Sequence, residues 1–497
     1  MKKTLLLALL FGLFLSVKAL AKNTSYQSHV VQITVYSQEP DFDAPWRQKR
    51  VGSNVHLGVM VAREKVLVAA HAVAYHTMLE LSLVGDSEKI PMVVSHVDYN
   101  ANLALIEPKE KGALFKRKLK PIKLGNDIPM NTEVTLVYGR HRQRLYQAPA
   151  RLREVSIKQV LTSSYAYSHY LFEVRKTTGL GWSELLVDKN NKMIGLAVGQ
   201  DSETLYAIPV KIIKHFLKDT AAKKYRGFTM LGLGIRKLDS PHLRDYLNLE
   251  KDANGVLVSK VYGNSAFLDK LKPYDVITHF GDVPISRSGY YEHKVWGKVH
   301  FVDLLAGYHA GDKIKLTILR DGKKKVLSAV SRAYDQQEYL IPGYPFSGVS
   351  HLIFGGFLFQ ELNLGFLKTW GDGFHRTAPE EMVYKFSYHN EASKGQKKRV
   401  IVLNKVLSDP HNKGYQSLSN VIVREVNGRK IESFADLKEA LKNPENPKKK
   451  LARFLFSAGG GEVILDYNGL DEAHQRIAKN YHIQEEKTFF HLKNESF

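Results

Sequence analysis

From about residue 28 to 215 the apolar positions fall into short β-rich runs: VVQITVYS, LGVMV, KVLVAAHAV, LELSLV, KIPMVVSHV, LALIEP, EVTLVYG, YLFEV and MIGLAVG. Turn residues separate them, and no long helical pattern intervenes. Many strands at this spacing predict a sandwich or barrel. The first helical periodicity follows Pro209. PVKIIKHFLKDTAAKK puts Ile212, Ile213, Phe216 and Leu217 on one face, with proline in the first turn. Its lysine-rich end marks a boundary near residue 222.

Residues 226–333 read as a second unit. LGLGI opens a strand, SPHLRDYLNL is a short helix, and GVLVSKV and DVITHFGDVPI are strands. VHFVDLLAG reads as a helix, and DKIKLTILRDGKKKVLSAV as a hairpin turning at Asp321-Gly322. Residues 340–497 repeat the plan. GGFLFQEL begins it, RVIVLNKVL and VIVREVNGRKI are strands, and SFADLKEALKN is a helix. ARFLFS and GEVILDY form a hairpin across Gly459-Gly460-Gly461, and DEAHQRIAKNY is a final helix. Strand, helix and hairpin recur in the same order, which marks an internal duplication.

The chain opens MKKTLLLALLFGLFLSVKALA, two lysines before an apolar run that ends in Ala-Leu-Ala. That pattern predicts a secretory signal over residues 1–21, and with it a Sec-exported, periplasmic protein. No other stretch reaches the ~18 uninterrupted apolar residues of a membrane span, so no stable membrane insertion is expected. The 497 residues contain no cysteine, which excludes disulfides and thiolate catalysis. The formal charge is +22, from 72 basic and 50 acidic residues, with runs at 116–123, 394–399 and 447–450. Those runs lack interleaved aromatics, so they read as solvated faces and nucleic acid is not an expected partner. No HExxH pair or phosphate-cradling glycine loop is present, so no metal or other cofactor is expected.

Several strings occur in a specific order. Gly58 stands ahead of VMVAREKVLVAAHAVAYHT. DYNANLALIEP, KNNKMIGLAVG, AIPVKIIKHFLKD and YRGFTMLGLGI follow. Together they resemble the HtrA (Deg, Do) serine protease family, in the branch known from plants and some bacteria whose last domain is a divergent PDZ. The resemblance covers nearly the whole chain after residue 21. It implies a mainly β fold: a trypsin-like double β-barrel (22–222) followed by two PDZ-like α+β domains (226–333 and 340–497).

A serine protease needs a nucleophilic hydroxyl, an imidazole base and a buried carboxylate that orients the base. By resemblance His71 takes the base position. Asn102 stands where the family has aspartate. An amide there tends to hold the wrong tautomer and cannot stabilise a cation, a swap that costs ~10⁴ in kcat. Asp98 matches an upstream turn position and does not replace the lost carboxylate. In a gapless alignment the serine position falls on Trp182, with Ser183 and Glu184 on the two glycines that follow and Leu180 on an earlier one. A one-residue deletion would instead make Ser183 the nucleophile. Either way the glycines that free the oxyanion loop are gone.

PDZ domains hold a peptide C-terminus by strand addition, its carboxylate on backbone N–H groups of a tight loop. Leu231, Gly232, Leu233, Gly234 and Ile235 resemble that loop in the first PDZ-like domain, and residues 355–359 (GGFLF) are its candidate counterpart in the second. The resemblance also implies a trimer-based homo-oligomer, for which Tyr26, Tyr36 and Trp46 are candidate contacts. Three readings stay open: a catalytically impaired scaffold or chaperone in envelope quality control that binds unfolded polypeptides or protein C-termini, a divergent endopeptidase using His71 and Ser183, and a basic adhesin for anionic partners.

Overall fold

A computed structural model describes residues 26–140, 144–175, 183–346, 348–392, 398–446, 448–457, 459–484 and 488–490. Residues 1–21 and Leu180, Gly181 and Trp182 lie outside the described residues.

The first twelve strands close into two barrels. β1 (Val30–Ser37), β2 (Gly52–Ala62), β3 (Lys65–Ala69), β4 (His76–Leu83), β5 (Ile90–Asp98) and β6 (Leu103–Pro108) form one, in the order β1-β2-β3-β6-β5-β4. β7 (Glu133–Arg140), β8 (Arg144–Gln159), β9 (Ala166–Val174), β10 (Leu185–Val187), β11 (Met193–Asp201) and β12 (Thr204–Pro209) form the other, in the order β10-β11-β12-β9-β8-β7. Gly58 lies opposite Val31 in the β1–β2 pair, and a Cβ there would fall 2.5 Å from Val66 Cγ1, so the first barrel closes only around a glycine. Helix α1 (Val210–Thr220) then buries Ile212, Ile213 and Phe216 in a core shared by both barrels, with Leu57 and Leu103 from one side and Leu185 and Val198 from the other.

The first α+β unit orders its strands Leu233–Lys237, Val256–Val261, Val276–Phe280, Lys313–Arg320 and Lys323–Val330, and the first of these is an edge. Its core runs on into the second barrel, from Phe267, Phe280 and Phe301 to Leu136 and Phe172. Trp296 Nε1 donates to Ile128 O at 3.0 Å across that junction. Buried Asp303 accepts there from Lys211, Ser168 and, at 2.7 Å, Tyr291. Burial alone would raise its pKa. The Lys211 ammonium and the hydroxyl donors outweigh burial and hold the carboxyl below its usual range. The segment expected as the helix VHFVDLLAG is instead a strand end, Gly297–His300, running into a 3₁₀ turn, Phe301–Gly307. His300 takes the N-cap, its ring accepting from Val302 N, and this starts the helical turn two residues late.

The second α+β unit has the order His351–Phe354, Phe357–Glu361, Ile401–Val406, Val421–Val426, Leu451–Phe456 and Glu462–Asp466. It also has four short helical segments between residues 364 and 388 that the sequence pattern did not announce. The β1–β2 loop of the first barrel docks on this unit. The Phe42 ring lies in a cluster with Leu362, Phe366 and Val402, and Asn404 Nδ2 donates to Phe42 O at 3.2 Å. No described helix is long and apolar enough to cross a membrane.

Candidate functional site

His71 sits in a single 3₁₀ turn, Ala70–Val73, between β3 and β4. Asn102 ends the turn that leads into β6. It is buried and has φ +54, a left-handed conformation that asparagine tolerates better than most residues. Its Oδ1 accepts from the His71 backbone N–H at 2.9 Å and lies 3.0 Å from His71 Nδ1. The backbone N–H can only donate, so the amide atom facing it is the oxygen. That oxygen makes Nδ1 the protonated ring nitrogen and leaves Nε2 as the acceptor. The expectation that the amide holds the wrong tautomer is therefore corrected: the side chain is turned so that the tautomer suits a general base. What the site lacks is the negative charge that would stabilise an imidazolium.

Asp98 does not reach the imidazole. Its Oδ1 accepts from Asn100 N at 2.7 Å and Ala101 N at 3.1 Å, and its Oδ2 accepts from the Tyr225 hydroxyl. It caps the turn that presents Asn102. Burial keeps its pKa above the ordinary value despite those donors.

Ser183 is fully buried, with φ +79. Its N–H donates to Ala197 O at 3.0 Å, and its Oγ accepts from Ala69 N at 2.7 Å. The hydroxyl thus binds the end of β3, two residues before His71, through a backbone amide. Histidine and asparagine are brought together, and the serine is bonded beside them to the strand. His56, on β2, is a neighbour that motif reading missed. Burial first, and the proximity of His71 second, lower its pKa to about 4. His56 stands two residues before Gly58 and outside the string that carries the resemblance, and only the fold brings the two rings close.

In the first α+β unit the expected binding loop stands at the head of the edge strand Leu233–Lys237. Gly232 has φ +64, and a Cβ would fall 2.8 Å from Ser265 Cα, so no other residue fits without a shift. The carbonyls of Leu231 and Gly232 are taken, by Ser265 Oγ at 2.6 Å and Tyr262 N at 3.0 Å. Their N–H groups have no acceptor among the described residues. Below them opens a pocket of about 200 Å³, floored by Leu233, Ile235, Phe301 and Leu305. Gly234 belongs to the edge strand, opposite Lys260.

The proposed counterpart at residues 355–359 is corrected. Gly355 (φ +53) and Gly356 (φ +94) form a tight two-residue hairpin between His351–Phe354 and Phe357–Glu361. Gly355 N donates to His474 Nε2 at 3.0 Å, and Gly355 O accepts from Asn412 Nδ2 at 2.9 Å. The strand Phe357–Glu361 is paired on both sides, by His351–Phe354 and by Ile401–Val406. Outside that, Phe490 N donates to Ile353 O at 2.9 Å. The edge that stays open in the first unit is filled by the chain itself in the second.

Two family models described as PDZ domain match this chain, over residues 230–329 and 347–488. Among curated relatives, Protease Do-like 2, chloroplastic, of Arabidopsis thaliana is 24% identical over 484 residues, covering 94% of this chain and 76% of the relative. Putative protease Do-like 13 of the same plant is 26% identical over 461 residues, covering 89% and 85%. The chain carries two PDZ domains and is similar to Do-like (HtrA/Deg) proteases along nearly its whole length. Among solved structures, an HtrA-type protease AlgW with decapeptide aligns with a TM-score of 0.47 at 17% identity, over 62% of this chain and 96% of that one.

In this chain two of the candidate oligomer contacts are internal. Tyr26 is buried, with its hydroxyl donating to Asn191 Oδ1 at 2.6 Å, and Trp46 packs against a cluster of the second PDZ domain that holds Ile353 and Ile477. Tyr36 is half-buried and bonds Glu80 at 3.3 Å. Among the described residues no group of three or more histidine, aspartate or glutamate side chains could hold a metal ion.

Proposed function

We propose that this chain is an exported, periplasmic Do-like protein that no longer hydrolyses peptide bonds and works by binding polypeptides, protein C-termini above all, through its first PDZ domain. The observation that carries the reading is Ser183: a buried hydroxyl already accepting from Ala69 N, on a residue whose φ of +79 suits a glycine. That backbone favours the alignment in which Ser183 replaces a glycine of the nucleophile loop and Trp182 replaces the serine. Loss of a positioned hydroxyl removes about 10⁶ in kcat on the scale of triad knockouts. The two unpartnered amides of Leu231 and Gly232 above an apolar pocket support C-terminal carboxylate binding. The family relationship supports a trimer-based homo-oligomer, and a role in envelope protein quality control follows from export and peptide binding together.

The test is covalent labelling of the protein by a fluorophosphonate probe, with Ser183→Ala and His71→Ala alongside. No labelling of the folded protein is expected. Labelling lost in both variants would restore the second reading, an endopeptidase using His71 and Ser183, which the intact His71–Asn102 pair favours. In parallel, a peptide with a free C-terminal carboxylate should bind, and its amide should not. Steep weakening of binding with salt, indifferent to the carboxylate, would point to the +22 charge and an anionic partner instead.

A further inference from the structure

The connection between the two PDZ domains makes a contact that neither domain needs. It starts at buried Ile341 and ends at the strand His351–Phe354. Between them the chain reaches back to the first barrel. The Phe346 ring stacks on Tyr99, with centroids 3.6 Å apart and planes 11° apart, and lies 5.3 Å from the Tyr75 ring. Tyr75 stands four residues after His71. Tyr99 stands three residues before Asn102, in the turn between β5 and β6. Phe346 is therefore clamped between the two loops that carry the His71–Asn102 pair.

The clamp depends on side chains. Pro342 and Pro345 have no N–H to offer, and the bonds Phe346 N→Tyr344 O (3.1 Å) and Gly348 N→Pro345 O (3.1 Å) stay within the segment. Phe346 and Tyr344 are only half-buried and belong to no core cluster. The slot is also incompletely used. The Tyr75 hydroxyl is buried and has no hydrogen-bond partner among the described residues. A buried hydroxyl without a partner is unfavourable, so an extended segment that offers a ring to the slot and a carbonyl to this hydroxyl gains a bond the resident lacks.

We propose that Tyr75 and Tyr99 form a binding slot for an aromatic side chain of an extended polypeptide, and that residues 344–346 are its built-in, displaceable occupant. The site recognises an internal side chain. It is separate from the carboxylate loop of the first PDZ domain and does not depend on whether His71 retains any chemistry.

The experiment uses the full chain and a fluorescein-labelled, C-terminally amidated peptide of residues 343–348, GYPFSG, whose amide keeps it out of a carboxylate loop. Fluorescence anisotropy is compared for the wild type and Phe346→Ala. Removing the resident ring should raise affinity about tenfold, the scale of two aromatic ring contacts. Adding Tyr99→Ala to Phe346→Ala should abolish the gain, and so should a peptide with alanine for its phenylalanine. No gain in a folded Phe346→Ala protein would overturn the proposal. So would a gain that survives Tyr99→Ala, or one competed away by a free-carboxylate peptide. If Phe346→Ala does not fold, Phe346→Leu keeps most of the volume without the stacking. A smaller gain that still needs Tyr99 then supports the slot, and wild-type affinity refutes it.

Discussion

Replacing Ser183 by alanine separates a structural hydroxyl from a nucleophile. A nucleophile can be deleted at little cost in stability. The hydroxyl in this fold instead accepts from Ala69 N at 2.7 Å in a fully buried position. Removing it leaves a buried backbone donor unsatisfied, which costs about 1–3 kcal/mol. For a unit of this size that is a fall of about 2–4 °C in Tm per kcal/mol. Ser183→Gly removes the same acceptor and also relieves the left-handed backbone at φ +79, which disfavours any residue with a Cβ. The glycine variant should therefore be about 1 kcal/mol more stable than the alanine variant while staying below the wild type. Urea unfolding followed by circular dichroism, with the three proteins compared at one pH, measures both differences. A Ser183→Ala protein as stable as the wild type would refute the buried hydrogen bond and turn the hydroxyl back toward His71. Glycine no better than alanine would refute the left-handed backbone.

Asn102→Ala removes one oxygen that serves two donors of His71, and should lower stability by about 2 kcal/mol and release the imidazole, seen as altered histidine resonances in NMR. Gly232→Ala places a Cβ 2.8 Å from Ser265 Cα in a left-handed turn, and should abolish binding of free-carboxylate peptides, measured by anisotropy, while the circular dichroism spectrum stays native. Burial is the first cause that lowers the pKa of His56, His169 and His215 to about 4, so the fold favours their neutral forms. Their contribution is complete above pH 6.5 and is lost as pH falls from there toward 4, about 3 kcal/mol each at the limit, so denaturation midpoints should drop over that window and not above it.

The barrels were legible in the sequence because their strands alternate or run apolar between turn residues, and the Asp321-Gly322 hairpin because both residues take positive φ, at +52 and +72. Asn102 could be paired with His71 because each lies in a string of fixed spacing. The orientation of its amide could not be read, since it depends on a backbone N–H that only the fold supplies. The strand His351–Phe354 escaped notice for two reasons. It is four residues long, too short for a periodicity to register, and the Gly-Gly after it matched a binding loop as well as a turn. Phe42 and Phe346 escaped for a third reason. Each lies in an irregular segment, and its partner is hundreds of positions away in sequence, so no local pattern marks it as buried or stacked.

The duplicated plan of the two PDZ domains makes their difference informative. In the first, Leu233–Lys237 is an edge, and the loop before it keeps two amides without acceptors. Unpaired edges invite strand addition, and a protein keeps one exposed only where it is short, protected or used. In the second, the corresponding strand is covered by His351–Phe354, the glycine turn is bonded to His474 and Asn412, and Phe490 extends the layer outward. The same domain also receives Phe42 from the first barrel, and its leading segment delivers Phe346 to the His71–Asn102 loops. A domain with its edge filled and two contacts to the first barrel has its own sheet closed and is anchored to that barrel. The first PDZ domain is left as the one whose edge can still take a partner's strand, and this is why Gly232→Ala is expected to remove carboxylate-dependent binding from the whole chain.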